Sequence, residues 1–176
     1  MVLNNKIESK SGFTLIELMV VVGVMSIMAA VAIPNIIAWL PEYRLRSVTR
    51  DIVSCFQEAK MRAIKENANA VIWFDVDNDQ YRAWVDNGVG TSAENGELDT
   101  ADGEIVFEQI TLPDDIHFYK DTGFNSDKFG FNSRGLPETT VGSVFINNEK
   151  SNFRSIIISS AGNVRVKKSS DGITWN

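Results

Sequence analysis

Apolar residues are segregated along this chain. Positions 1–12, MVLNNKIESKSG, are polar and carry Lys6, Glu8 and Lys10. The 21 positions from 13 to 33 then hold a single charge, Glu17, and two hydroxyls, Thr14 and Ser26. As an α-helix this run is about 32 Å long, enough to cross a hydrocarbon core of about 30 Å. A domain of this size has too little core to surround a helix that is apolar on every side, so the run predicts a membrane span. A cleavable secretory signal would have an apolar region of about 7–15 residues followed by a small-residue cleavage site. Here the small residues, Ser11 and Gly12, precede the run. A cut after Gly12 would remove the polar leader and leave the helix on the mature chain.

Beyond position 33 the period changes. Leu45, Val48, Ile52, Cys55, Phe56, Ala59 and Ala63 recur at spacings of three and four, an amphipathic stripe. Arg44, Arg46, Arg50, Lys60, Arg62 and Lys65 fill much of the remaining surface. Pro34 predicts a helix disruption, Pro41 a second kink or short break, and Asn67 a helix stop. After 67 come short runs rich in aromatic and β-branched residues, at 71–76, 81–85, 104–110, 115–119, 128–132, 143–146, 155–159 and 164–167. No helical segments intervene for parallel crossovers, so antiparallel sheet is expected. The stretch 86–103 reads as an exposed loop. The fold class is α+β: a long N-terminal helix packed against antiparallel β-sheets. It divides into a leader at 1–12, a membrane-spanning helix at 13–41 and a soluble domain at 42–176.

Composition narrows the function classes. Lys+Arg 17 against Asp+Glu 23 leaves a net charge of −6, which argues against a protein that coats nucleic acid. The single cysteine, Cys55, excludes an intrachain disulfide and a Cys-rich zinc site, and its place on the stripe makes it a core residue. The single histidine, His117, alternates with apolar neighbours and belongs at a strand surface or rim. No nucleophile-elbow, P-loop, zincin or dinucleotide-binding sequence is present, so no enzyme activity, cofactor or metal is expected. Asp75, Asp77, Asp79 and Asp86 fall in an EF-hand-like register, but Gln80 stands where the sharp turn needs glycine. These and a second acidic group, Asp99, Asp102 and Glu104, are expected to be solvated turns.

Glu17 is the anomaly of the apolar run. A carboxylate there costs roughly 2.5–3.5 kcal/mol at a bilayer centre and less near an end. Either Glu17 reaches the interface, or it pairs with a cation. After a cut at Gly12, the new α-amino group of Phe13 on a neighbouring subunit would be the natural partner.

The segment Gly12-Phe13-Thr14-Leu15-Ile16-Glu17-Leu18 resembles the processing and methylation site of type IV pilins and type II secretion pseudopilins. The resemblance implies cleavage after Gly12 by a prepilin peptidase, N-methylation of Phe13, and assembly with other pilins in which Glu17 neutralises a neighbour's N-terminus. Pro34 matches a helix-disrupting proline common in pilins. The segments Phe131-Asn132-Ser133-Arg134-Gly135-Leu136-Pro137 and 154–165 are similar to the GspH/FimT branch, which implies two small antiparallel sheets packed on the helix. Charge alone leaves the orientation open, because Lys6 and Lys10 precede the span and Arg44, Arg46 and Arg50 follow it. The resemblance implies a bacterial inner-membrane, single-pass protein with a cytoplasmic leader and a periplasmic domain.

The function it implies is that of a structural subunit, a minor pilin or pseudopilin supporting filament assembly and protein secretion. The alternative is a filament-tip subunit that binds DNA for uptake. Its contacts would be Arg165, Lys167 and Lys168, with Lys150 and Arg154 nearby and Val164 and Val166 turned to the core. Gly162-Asn163-Val164-Arg165 keeps the glycine and second arginine of the Gly-Arg-x-Arg motif of DNA-uptake minor pilins, but lacks the first arginine.

Overall fold

The computed structural model of the chain describes residues 12–88, 95–120, 122–138 and 141–176. The expected leader, apart from Gly12, lies outside the described residues. One helix, α1 (Leu15–Glu66), takes up 52 residues and runs unbroken through Pro34 and Pro41. Neither proline breaks the helix, so the short break that Pro41 could have made is absent. Each proline removes one backbone hydrogen bond, but the helical residues on both sides bridge the loss. The helix stops where expected. Asn67 takes a left-handed φ of 52°, and the Ala68 N–H donates to the Ala63 carbonyl at 3.2 Å, closing the last turn in a Schellman arrangement.

The described chain forms two compact units, which part between Trp39 and Leu40. In the first, every large apolar side chain from Phe13 to Trp39 is more than half exposed. This part of α1 is long and apolar enough to cross a membrane.

In the second unit all seven stripe residues from Leu45 to Ala63 are buried. They meet two four-stranded antiparallel sheets. The first contains β1 (Asn69–Asp75), β2 (Gln80–Asp86), β3 (Val106–Thr111) and β5 (Lys128–Phe131), in the order β3-β2-β1-β5. The second contains β4 (Ile116–Phe118), β6 (Gly142–Asn148), β7 (Phe153–Ile158) and β8 (Val164–Ser169), in the order β4-β6-β7-β8. The core is aromatic. Phe56 of α1 stands 5.3 Å from Phe129 and 5.9 Å from Phe74, and Phe124 lies 5.0 Å from Phe129. A Cβ at Gly142 would come within 2.2 Å of the Phe124 ring, so only glycine lets β6 pass this close.

Two ion pairs tie the start of the second unit's helix to the second sheet. Arg154 of β7 donates to Glu42, and Arg44 pairs with Asp115 at 3.2 Å. Arg154 is 4% exposed. Burying a guanidinium this deeply requires such a partner.

Candidate assembly site

The helix entrance is held by three hydrogen bonds between two residues. The Thr14 N–H and the Thr14 hydroxyl both donate to Glu17 Oε2 at 2.8 Å, and the Glu17 N–H donates to Thr14 Oγ1 at 3.3 Å. This is a capping box, which satisfies amides that the first helical turn leaves without partners. Neither reading of Glu17 from the sequence included it. The signal was legible as Thr-x-x-Glu directly ahead of an apolar run. In the uncut chain the Phe13 nitrogen is a peptide nitrogen, so an amine partner for Glu17 arises only on cleavage. Gly12 has open space where a Cβ would stand. Nothing in the fold of the described residues demands glycine there. Within the apolar helix, Ser26 settles its hydroxyl on the Val22 carbonyl at 2.7 Å.

Cys55 is buried as expected, and burial first, then Glu108 and Glu58, push its thiol well above its usual range. Asp77 is exposed in the β1–β2 turn as expected, but other members of the acidic groups are not simply solvated. Asp75 accepts from Asn78 and Gln80, and these bonds, that of Gln80 foremost, hold its carboxyl low. Asp79 joins the β1–β2 turn to β4: it accepts the Phe118 N–H at 2.8 Å and sits 2.7 Å from His117 Nδ1, with His117 at the strand rim. Asp86 lies at the opposite end of β2 from Asp75, about 20 Å away by strand rise, so the EF-hand-like register does not converge. Asp86 and Glu104 are 0% and 3% exposed. Glu104 accepts the Gly88 and Asp99 amides at 3.0 and 2.8 Å, and Asp86 accepts the Gly96 amide at 2.6 Å. Burial, assisted by the Asp86 charge, pushes the Glu104 carboxyl up. The stretch after β2 is thus not simply an exposed loop. Among the described residues no cluster of three metal-ligating side chains forms.

The basic C-terminal group is also rearranged. Arg165, Lys167 and Lys168 are exposed on the edge strand β8, but Arg154 is buried against Glu42 and unavailable to a ligand. Val166, expected in the core, is 41% exposed. It shares a face with the buried Ile156 of β7, but β8 is the last strand of its sheet and the core reaches beneath it only as far as the partly buried Val164.

The segments 131–137 and 154–165 converge in space. Gly135 and Gly162 hold φ of +71° and +72° in similar hairpin turns. A Cβ on Gly162 would lie 3.2 Å from the Phe131 ring and 3.5 Å from the Gly135 carbonyl. Both turns abut Lys60 of α1.

Comparison with known families and structures fits this geometry. Residues 9–33 match the prokaryotic N-terminal methylation motif. Residues 48–162, more than half of the chain, match the family Type II transport protein GspH. The chain belongs to the GspH family. The matched GspH region contains both glycine turns and ends at the second of them, whereas β8 lies beyond it. Two solved structures share the fold. The minor pseudopilin EpsH from the type 2 secretion system of Vibrio cholerae is 14% identical, with a TM-score of 0.50 over 69% of this chain and 94% of that one. The type IV minor pilin FimU of Pseudomonas aeruginosa PAO1 is 15% identical, with a TM-score of 0.50 over 77% of this chain and 94% of that one. No curated protein matches the chain. Members of the GspH family and its pilin-like relatives are structural subunits, not enzymes.

Proposed function

We propose that this GspH-family chain is a minor pilin or pseudopilin that is anchored in the bacterial inner membrane by residues 13–41. Its domain at 42–176 lies in the periplasm, and it joins other pilins in a filament that supports protein secretion. A prepilin peptidase cuts after Gly12, Phe13 is N-methylated, and Glu17 exchanges its bond to Thr14 for the Phe13 amine of a neighbour. The observation that carries this reading is the exposed apolar helix, which begins at a methylation motif and continues into the core stripe of a GspH domain.

Glu17→Gln is the decisive variant. Glutamine serves in a capping box as glutamate does, so the helix entrance is kept while the charge is lost. The variant is expected to be cleaved and inserted but to enter filaments poorly. Thr14→Val, which weakens the cap and keeps the charge, is expected to assemble far better. Equal filament incorporation of Glu17→Gln and wild type, measured in sheared filament fractions, defeats the pairing role. Gly12→Leu should accumulate as the uncut precursor.

The exposed cations Arg165, Lys167 and Lys168 of β8 support the second reading, DNA capture at a filament tip. Mobility-shift titration of the full chain in detergent tests it. Binding that is salt-sensitive and abolished by Arg165→Ala with Lys167→Ala would establish that reading over the structural one.

A further inference from the structure

The outer face of the first sheet, opposite the helix, carries an unusual row of side chains. Gln109, Arg82, Trp73 and Lys128 lie side by side across β3, β2, β1 and β5, and Trp84 is the next residue of β2 on the same face. Arg82, Trp73, Lys128 and Trp84, together with Glu97 and Leu98, line an open cleft of about 420 Å³. Its walls are fixed by hydrogen bonds: the Trp84 indole donates to the Glu97 carbonyl at 3.2 Å, and Lys128 Nζ donates to Glu97 Oε1 at 2.6 Å and to the Gly96 carbonyl at 3.1 Å. The Arg82 guanidinium carbon lies over the Trp73 ring, 4.9 Å from its centroid. Among the described residues the Arg82 Nε is buried without a hydrogen-bond partner and its guanidinium makes no close ion pair, although its charge reaches Asp75. Asp75, on the same face, has its carboxylate taken up by Asn78 and Gln80.

We infer that this cleft is a binding site for a carboxylate side chain of a partner polypeptide, seated on Arg82, with an adjoining apolar residue packed against Trp73. The physical case has three parts. A buried guanidinium donor left without an acceptor costs free energy that an incoming acceptor recovers. The guanidinium over the Trp73 ring carries the planar fork of donors that a carboxylate matches in the bidentate geometry arginine favours. Of the two cations that line the cleft, Lys128 is already paired with Glu97, while Arg82 acts on Asp75 only through its charge and keeps its donors open. The carboxylates of Glu97 and Asp75 nearby oppose a polyanion, so a single acidic side chain fits and a nucleic-acid strand does not. The site lies wholly within residues 73–128 and stands apart from the role assigned to the N-terminal segment.

The test is a titration of the full chain in detergent, followed by the indole N–H signals of Trp73 and Trp84 and the Arg82 Nε–H signal in nitrogen–proton spectra. The probe is the peptide acetyl-Gly-Leu-Glu-Leu-Gly-amide, and its controls are the same peptide with Gln for Glu and a deoxythymidine decamer. The expected result is that the Glu peptide moves the Trp73 and Arg82 signals while those of Trp39 and Trp175 stay still. The Gln peptide should bind at least tenfold more weakly, and Arg82→Gln should lose at least tenfold in affinity for the Glu peptide. Arg82 lies on the sheet's outer face, so unchanged signals elsewhere in the spectrum verify that the variant is folded. Equal binding of the two peptides, binding of the decamer but not the Glu peptide, or no movement at millimolar peptide each overturns the assignment.

Discussion

Glu104 illustrates how far a residue's chemistry can depart from its place in the sequence. It sits in an acidic, glycine-rich stretch, yet its side chain is buried beside Asp86 and accepts two loop amides. Its carboxyl titrates above the ordinary 4.5, so from 4.5 up to its folded value the native state holds more protons than the unfolded one. Stability from this residue is therefore lost as pH rises through that window and is regained as pH falls to 4.5. Glu104→Gln keeps an acceptor for the loop and removes the titration. The urea midpoint of the variant, relative to wild type, should rise between pH 4.5 and pH 7; a difference that stays flat would show that Glu104 carries no such linkage. Asp75 and Asp171 act in a separate range. Hydrogen bonds from Gln80 and Ser169 hold them below the ordinary 3.8, so their contribution is complete above 3.8 and fades as pH falls through their lower folded values. Cys55 should resist a thiol reagent such as iodoacetamide until the domain unfolds, since its reactive thiolate is suppressed by burial.

At the scale of elements, the eight strands, the core stripe of α1 and the helix stop were all legible, because each is set by local periodicity or by a single residue such as Asn67. What was not legible depended on partners far along the chain. Arg154 looked like one more exposed cation; its partner Glu42 is 112 residues away, and no spacing announces it. Val166 has the alternation of a core residue, but its exposure follows from β8 being an edge, which only the strand order reveals. The capping box was the opposite case, a local signal hidden behind the question of what a charge does in a membrane. At the two glycine turns a positive φ and a crowded neighbour admit almost nothing but glycine. Gly135→Ala should destabilise by about 1–2 kcal/mol from backbone conformation alone. A Cβ there would also meet Ile64 Cδ1 at 2.7 Å. Chemical denaturation should register this as a lowered midpoint with an unchanged slope.

For the molecule as a whole, the Glu42–Arg154 pair is the tie to probe, since it joins α1 to the second sheet. Glu42→Ala strands a buried guanidinium and should cost about 3 kcal/mol. Adding Arg154→Met should recover part of that loss, because the charge that needed a partner is gone; no recovery in denaturation midpoints would mean the pair does not act as a unit. The strand order has a further consequence, in time rather than in energy. The chain leaves the first sheet after β3, lays down β4 for the second, returns with β5, and only then supplies β6. As a chain emerges from its N-terminus, α1 and the first sheet can close at Phe131, with Ile116 and Phe118 already called into the core. Yet β4 pairs with β6, which begins at Gly142. During that interval β4 is an open edge, free to pair with a foreign strand. For a chain emerging in this direction, the vulnerable interval is the wait between residues 131 and 148. Pulsed hydrogen exchange during refolding should protect the amides of β1 and β2 before those of β7 and β8.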